Sequence, residues 1–505
     1  MQKDTRLFVA SVISVATTSF GFIVRAFLVS EWGVEFNLTD TQIGALQGAG
    51  LFPFALSIIL FSLVIDKIGY GRAMGFAWVG HVVSAVITMT ATSYTQLYVG
   101  TLLFALANGA VEAVVNPVTA TLYPKSKTHH LNILHAGWPG GLVLGGVLAI
   151  ALGGIDWQWK IGLFLLPALI YGALMLGCKF PVQERVAAGV SYRDMLKEFG
   201  WAGCLIVSYF AALAINEVAL GIFHTSLGTA ATWAITLVPT VVFALTIRSF
   251  GRPVFVLLLL VMVLLATTEL GTDSWVVALM TPVLANISVN AGSWLLIYTS
   301  AIMFVLRFFA GPIVHRISPL GLLAGGAILA TGGLFWLSHA GAVGTTIFLA
   351  ATLYGIGKSF FWPTTLGVVS EQFPKGGALT LSAMGGMGMI AVGALGGPML
   401  GVIQDKYFDQ ALAAQNPALH ASVAGEPQSK NGLSYRPLDK QKIAALPEAQ
   451  RAEVEQVRNT NNQATLSKMA VLPAIMAVCY IGLILFYRTK GGYKAVEIGT
   501  PAAKA

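Results

Sequence analysis

Long apolar stretches recur along almost the whole chain of 505 residues. Most are close to the roughly 20 residues that a helix needs to cross a bilayer. Because they lack two-residue alternation, and because lipid leaves no backbone group unsatisfied, we predict membrane-spanning helices. Only 10% of the residues are charged, against about a quarter in soluble domains, which excludes a soluble enzyme, a secreted disulfide scaffold and a disordered protein. The fourteen predicted spans are 7–29, 43–65, 73–92, 96–121, 132–154, 160–180, 202–227, 231–249, 253–283, 292–314, 319–338, 344–370, 378–402 and 467–487.

Lys and Arg residues fall almost entirely in alternate connections between these spans. With the N-terminus inside, eighteen lie on the inner side, whereas the short outer connections contain only Lys160. This asymmetry predicts a multi-pass protein of the plasma (inner) membrane with cytoplasmic N- and C-termini. It also accounts for the net charge of +8 without nucleic-acid binding. The eighteen are Lys3, Arg6, Lys67, Arg72, Lys125, Lys127, Lys179, Arg185, Arg193, Lys197, Arg248, Arg252, Arg316, Lys375, Arg488, Lys490, Lys494 and Lys504.

The fourth span and the span at 344–370 carry a matching pattern of polar residues. Each has a charge five residues before a proline, and the charges have opposite signs: Glu112 in the first and Lys358 in the second. Residues four positions away lie on the same helix face as the charge. Internal repeats of this kind are common in transporters. The flanking residues are Asn108 and Asn116 in the first span and Tyr354 and Trp362 in the second.

The repeat predicts an all-α membrane protein of two six-helix bundles, with an inserted helical pair and about 14 spans. A long polar segment before the last span is predicted to form a small outer helical cap. The predicted units are the first bundle (1–180), the inner linker with two additional spans (181–250), five spans of the second bundle (251–403), the outer insertion (404–466), the last span (467–487) and the inner tail (488–505).

Charged side chains within the spans are the best candidates for a functional site, because each costs at least about 2.5–3.5 kcal/mol at mid-membrane depth. Besides Glu112 and Lys358, they include Arg25 and Glu269. Two cations and two anions predict a neutral cluster. It either binds a solute or ion in a central cavity or holds the two halves together as ion pairs, and we favour the first because buried ion pairs add little packing stability. The predicted binding residues are Arg25, Asn108, Glu112, Asn116, Glu269, Tyr354, Lys358 and Trp362. Two further embedded charges, for which packing is favoured, are Glu217 and Arg307.

The loop after the second span contains Asp66, Lys67, Gly69 and Arg72. In this loop the sequence resembles the major facilitator superfamily, whose signature has an Asp, a turn Gly and basic residues at these positions. The resemblance implies two six-helix bundles that open alternately, with Asp66 and Arg72 as candidate gating residues. The alternative is that the loop only sets the membrane topology.

A closer resemblance begins at Val111-Glu112-Ala113-Val114-Val115-Asn116-Pro117. This stretch is similar to the fourth span of the fucose–proton symporter family, and that resemblance implies a role for Glu112 in proton and sugar handling. The acidic residue expected in the first span is replaced by Arg25. If Arg25 lies close to Glu112, it will hold the carboxylate ionised, and proton coupling through Glu112 is then disfavoured.

We therefore predict a secondary active or facilitative transporter of a small polar solute, most plausibly a sugar, that works by alternating access. A proton or another ion is the expected coupling partner of a symporter, and none is needed for uniport. The alternatives are a transporter of organic anions or drug-like solutes and, less favoured, a membrane receptor or enzyme. Neither a nucleophile triad nor an H-E-x-x-H metal motif is visible in the sequence, so we expect no enzymatic activity and no cofactor. We expect a monomer in the lipid bilayer.

Overall fold

The computed structural model describes residues 3–38, 40–223, 225–285, 287–288, 290–341, 343–430 and 433–498. Nearly all of them are helical, and the predicted class, an all-α membrane protein of two six-helix bundles, is confirmed. The first bundle consists of α1 (Lys3–Glu35), α2 (Asp40–Ala49), α3 (Phe52–Ile68), α4 (Tyr70–Met89), α5 (Tyr94–Leu122), α6 (Lys127–Ala151), α7 (Trp157–Gly162) and α8 (Leu165–Met175).

The linker and the inserted pair follow as α9 (Glu184–Ala187), α10 (Tyr192–Phe223) and α11 (Thr229–Ile247). The second bundle contains α12 (Pro253–Ala266), a π-turn (Thr267–Gly271), α13 (Thr272–Met280), α14 (Ala291–Arg307), α15 (Ala310–Ser338), α16 (Gly344–Lys358), α17 (Phe361–Gln372), a 3-10 turn (Pro374–Gly376), α18 (Gly377–Ala391), a second π-turn (Val392–Gly396) and α19 (Gly397–Gln415).

The polar insertion forms a small cap on the second bundle. It comprises the outer part of α19, then α20 (Pro417–Val423), an antiparallel hairpin of β1 (Gln428–Lys430) and β2 (Leu433–Tyr435), α21 (Lys440–Ala444) and α22 (Glu448–Met469). It has its own apolar core, which includes Leu412, Val423 and Val454. The last helix, α23 (Val471–Thr489), continues α22 back through the bundle.

The predicted count of fourteen spans is too high. Among the described residues, twelve helices are both long and apolar enough to cross a membrane. The predicted span 292–314 is not among the twelve because it is divided between α14, which ends at Arg307, and the first turns of α15, which changes direction at Ser318. The predicted span 344–370 is divided between α16 and α17.

Small residues allow the helices to approach closely, for example in α6. A Cβ at Gly145 would lie 2.6 Å from Cγ2 of Ile23 in α1. The two bundles meet in the same manner, since a Cβ at Gly386 of α18 would lie 2.7 Å from Cγ1 of Ile59 in α3. The inserted helix α10 contacts both α3 and α18, and it therefore lies along the junction of the bundles.

Candidate functional site

Arg307 lies at the centre of a buried polar cluster between the bundles, which we call the central cluster. Its guanidinium donates through Nη2 to Oε1 of Glu269 at 3.0 Å and through Nη1 to the carbonyl oxygen of His135 at 2.5 Å. Its Nε donates to the carbonyl oxygen of Ser359 at 2.7 Å. His135 belongs to the first bundle and the other two belong to the second, so one side chain joins both halves.

Two breaks in regular helix present these partners. Glu269 lies in the π-turn Thr267–Gly271, and such single π-turns are frequent at functional sites. Ser359 lies between α16 and α17, where its carbonyl oxygen is available to Arg307. The central cluster is thus built where the helical hydrogen-bond pattern is interrupted.

A second ion pair extends the central cluster within the second bundle. Nζ of Lys358, the last residue of α16, donates to Oδ1 of Asp273. Nζ also lies 5.0 Å from the ring centre of Tyr354, whose hydroxyl donates to the carbonyl oxygen of Thr268 at 2.6 Å. The fourth predicted residue of this region, Trp362, is buried, and its ring packs against Gly388 of α18.

The first bundle contributes a chain of three polar side chains. Nδ2 of Asn116 donates to Oε2 of Glu112 at 2.7 Å, and Nε2 of His135 lies 2.8 Å from Oδ1 of Asn116. Because an amide oxygen only accepts hydrogen bonds, Nε2 of His135 is the protonated nitrogen. Nε2 of His135 also lies 3.9 Å from Oε2 of Glu112. Glu112 is therefore contacted by an amide and an imidazole, and the same His135 leads to Arg307 through its carbonyl oxygen.

The predicted cluster of Arg25, Glu112, Glu269 and Lys358 is wrong in one member. Arg25 turns into the interior of the first bundle, where Nη2 donates to Oγ of Ser84 at 2.9 Å and the guanidinium lies 4.1 Å from the ring centre of Phe104. It makes no ion pair with any described carboxylate. The physical reason is the direction of its helix face, which meets α4 and α5 rather than the second bundle.

Asn108 is likewise separated from the central cluster. Its Oδ1 lies 2.8 Å from Nε2 of His81, whose Nδ1 lies 2.9 Å from the hydroxyl of Tyr171. All three are buried between α4, α5 and α8. The helical spacing of four correctly placed Glu112 beside Asn116, but the next turn already faces a different set of neighbours.

Sequence reasoning missed three members of the central cluster. Packing is the predicted role of Arg307, although a full charge within the predicted span 292–314 was a usable signal. Asp273 is not among the predicted binding residues, although it lies four residues after Glu269. His135 is not among them either, because nothing in the sequence distinguishes it from the nearby His129 and His130.

A second polar layer closes the end of the bundles at which Lys3 and the tail 490–498 lie, which we call the terminal face. Nζ of Lys127 donates to Oε2 of Glu184 at 2.6 Å and to the carbonyl oxygen of Ser370 at 3.3 Å. Oγ1 of Thr128 donates to Oε1 of Glu371 at 2.5 Å. These contacts join the first bundle to the linker and to the second bundle.

Of the two candidate gating residues, Asp66 takes part in this layer. Its Oδ2 accepts from Nη2 of Arg185, in the linker helix α9. Arg72 is exposed on the surface. A gating role for either residue stays a prediction.

Comparison with known proteins assigns the chain to a family. The family model of the Major Facilitator Superfamily matches residues 7–398. The chain belongs to the Major Facilitator Superfamily. This is a family of transporters, and the twelve long apolar helices found among the described residues agree with a multi-pass integral membrane protein. No curated protein matches the chain in a sequence comparison.

Solved structures of this superfamily share the fold at low sequence identity. The E. coli fucose:proton symporter FucP is 15% identical, with a TM-score of 0.58 over 94% of this chain and 98% of that one. The human organic anion transporter MFSD10 is 12% identical, with a TM-score of 0.61 over 95% and 100%. A bacterial homologue of the human lysosomal transporter Spinster is 16% identical, with a TM-score of 0.60 over 98% and 100%. At these identities the likeness shows the fold alone.

Proposed function

We propose that this superfamily member is a secondary transporter that moves a small polar solute by alternating access, with the central cluster as its binding site. The single observation that carries the proposal is the position of Arg307, which bonds to Glu269 in its own bundle and to His135 in the other. A solute that displaces either contact changes the balance between states in which the bundles are joined and separated at this point.

The charge balance of the central cluster favours a neutral solute such as a sugar. Arg307 pairs with Glu269, and Lys358 pairs with Asp273. Both pairs are closed within the second bundle, so neither leaves a net charge for the solute to neutralise. Hydroxyl groups of a sugar can instead accept the hydrogen bonds that Arg307 now donates to carbonyl oxygens.

We further propose that Glu112 exchanges the coupling proton. Its carboxylate is buried against the amide of Asn116 and lies 3.9 Å from His135. Arg25, which the sequence suggested as a fixed cationic neighbour, contacts Ser84 instead. Arg25 therefore gives no reason to doubt proton coupling through Glu112. A proton is the simplest way to neutralise this buried carboxylate.

The experiment combines a ligand screen with transport in proteoliposomes. Sugars, nucleosides, organic anions and peptides are first screened by thermal shift on the purified protein. The best ligand is then offered to vesicles with an imposed pH gradient. We expect wild-type protein to accumulate the ligand and Glu112→Gln only to equilibrate it across the membrane, because the amide cannot carry the proton.

Glu217→Gln is the matched control, since it changes an embedded carboxylate of α10, outside the central cluster. It should accumulate the ligand as wild type does. Undiminished accumulation by Glu112→Gln would remove Glu112 as the coupling group. If no ligand of the screen is transported by the wild type, the proposed function itself fails.

Transport of an organic anion is the second candidate, and the Lys358 pair favours it. Asp273 is 9% exposed whereas Lys358 is fully buried, so a carboxylate that enters beside Asp273 can replace it at Lys358. Uptake that stops in Lys358→Gln but persists in Glu112→Gln would support this candidate over the sugar.

We also propose that the terminal face is cytoplasmic in the plasma (inner) membrane, because most Lys and Arg residues of the short connections lie there.

A further inference from the structure

Arg25 is an embedded cation that the proposed transport mechanism does not use. It is 5% exposed and lies in α1, and the turns of α1 that precede it pack against α6. Its neighbours come from the other helices of the first bundle: Ser84 and Thr88 from α4, Phe104 from α5 and Phe164 just before α8. We call this group the Arg25 site. It is separate from the central cluster, since Arg25 contacts none of that cluster's side chains among the described residues.

All the acceptors around Arg25 are electrically neutral. Nη2 donates to Oγ of Ser84 at 2.9 Å and to Oγ1 of Thr88 at 3.5 Å, while Nη1 reaches the carbonyl oxygen of Gly21 at 3.4 Å. In the part of the chain that the structure describes, no carboxylate forms an ion pair with this guanidinium. Buried charges in membrane spans almost always pair with another charge or line a polar path, so Arg25 is an exception that needs a physical explanation.

Two hydrogen-bond donors of the Arg25 site remain without an acceptor among the described residues. Nε of Arg25 is buried and donates to none of them. The hydroxyl of Ser84 accepts from Arg25, and no described acceptor takes its hydrogen. Thr88 differs, because its hydroxyl donates to the carbonyl oxygen of Ser84 at 2.8 Å. Two free donors beside one uncompensated positive charge are what an anion requires.

The aromatic residues complete the environment. The guanidinium lies 4.1 Å from the ring centre of Phe104 and 5.6 Å from that of Phe164. Rings offer a cation their faces and an anion their positively polarised edges. They also exclude water, which strengthens the attraction between Arg25 and any anion that reaches it.

We propose that Arg25, with the hydroxyl of Ser84, binds a small monovalent anion inside the first bundle. The shared chemistry is one negative charge that accepts hydrogen bonds, and its source is either an inorganic ion such as chloride or the carboxylate of a small solute. Among the described residues of the first bundle, Arg25 is the embedded charge that is held solely by neutral hydrogen-bond acceptors and aromatic rings, and binding neutralises it. The anion therefore stabilises the folded bundle.

The Arg25 site lies in the part of α1 that is remote from the terminal face. Thr88 is followed by Met89, which lines a cavity of about 410 Å³ together with Trp157 and Trp159. Three carboxylates also line this cavity: Glu35 accepts from Nε1 of Trp157 at 2.5 Å, Glu31 lies 3.4 Å from Nζ of Lys160, and the third is Asp156.

The experiment measures the thermal stability of the purified full-length protein in detergent, without solute or gradient. Sodium chloride and sodium acetate are each titrated against sodium HEPES at constant ionic strength, because the HEPES anion is too bulky for a buried site. We expect a saturable rise in unfolding temperature of at least about 2 °C in wild type. A rise with chloride alone identifies an inorganic ion, whereas a rise with acetate identifies a carboxylate as a ligand.

Arg25→Gln should abolish the saturable rise, and Ser84→Ala should move its midpoint to higher anion concentration. The control is Arg72→Gln, which removes an exposed cation and should titrate as wild type does. Equal titrations in wild type and Arg25→Gln, or no saturable rise in wild type, would overturn the proposal. Should Arg25→Gln fail to fold, Arg25→Lys is used instead, because it keeps the charge but loses Nε. If the midpoint of the titration is unshifted in both Arg25→Lys and Ser84→Ala, the proposal is overturned as well.

Since this measurement involves no transport, its failure is distinct from a failure of the proposed function.

Discussion

At the scale of single residues, the two bundles use the same tight turn with different side chains. Gly69 lies between α3 and α4 with φ 84° and ψ 147°. At the corresponding place in the second bundle, Ser318 has φ 66° and ψ 161° within α15. This backbone region is almost exclusive to glycine, because a Cβ collides with the neighbouring peptide. Ser318 is therefore strained where Gly69 is not.

Ser318→Gly is expected to stabilise the protein. The strain relieved is of the order of 1–3 kcal/mol and the added chain entropy costs about 0.5–1 kcal/mol, which leaves a gain of about 1 kcal/mol. The measurement is the unfolding temperature in detergent. Gly69→Ala is the matched reverse change and should lower it, because alanine there acquires the strain. An unfolding temperature that falls in Ser318→Gly would show that the hydroxyl, which accepts from the Gly321 amide at 3.3 Å, outweighs the strain.

The types of residue in the central cluster were predictable, but their pairings were not. Glu112, Glu269 and Lys358 stood out because a charge in an apolar span is costly. Arg25 and Arg307 met the same criterion, and only the structure shows that the second joins the bundles while the first faces inward. Which neighbour a helix face meets depends on tertiary packing, and the periodicity of one span carries no information about that packing.

At the scale of elements, the interruptions of the helices were beyond sequence reasoning. Hydropathy reports that 253–283 and 344–370 are apolar, but it is insensitive to one extra residue in a turn. The π-turn at Glu269 and the break at Ser359 both arise there. Since these interruptions supply two partners of Arg307, the geometry of the central cluster could not be derived from span boundaries.

The C-terminal tail forms another element, a strap of residues 490–498 across the terminal face. Gly491 and Gly492 have φ values of 86° and 97°, which turn the chain away from α23. The hydroxyl of Tyr493 then donates to Oε2 of Glu371 at 2.8 Å, and the amide of Val496 donates to the Glu371 carbonyl oxygen at 2.8 Å. Because Glu371 also binds Thr128 of the first bundle, the strap orients a carboxylate that joins the two halves.

Tyr493→Phe should therefore loosen the terminal face. Losing one hydrogen bond to a partly buried carboxylate costs about 1 kcal/mol, or about a fivefold shift toward open states. The measurement is the maleimide labelling rate of Thr121→Cys, which lines the small cavity beneath the polar layer, in a protein whose native cysteines are replaced.

Truncation after Ile498 is the matched control for this experiment, because it keeps every strap contact described above and should label at the original rate. Truncation after Lys490 removes the strap and should label at least as fast as Tyr493→Phe. Identical rates in all of these proteins would show that the strap has no influence on the gate.

At the scale of the whole molecule, the sequence was sufficient for the architecture. The apolar stretches and the opposed charges of Glu112 and Lys358 led to two bundles with an inserted pair. The predicted number of spans exceeds the twelve long apolar helices of the described residues because composition cannot show that helices are interrupted after Arg307 and after Lys358. The contacts that Glu184 and Arg185 make at the terminal face could not be predicted either. The linker has no helical periodicity that would assign its residues to a face.

The cap has a mechanical consequence for any rocking of the second bundle. Its helix α22 runs almost without interruption into α23, so that Glu448–Thr489 forms one rod of 42 residues. The 22 residues of α22 project about 33 Å at 1.5 Å per residue. For a pivot at the membrane end of α22, each degree of tilt moves the far end by about 0.6 Å. The cap should thus move rigidly with the second bundle. A pair of dyes, one on the far end of α22 and one on the first bundle, would report the tilt as a change in the distance between them.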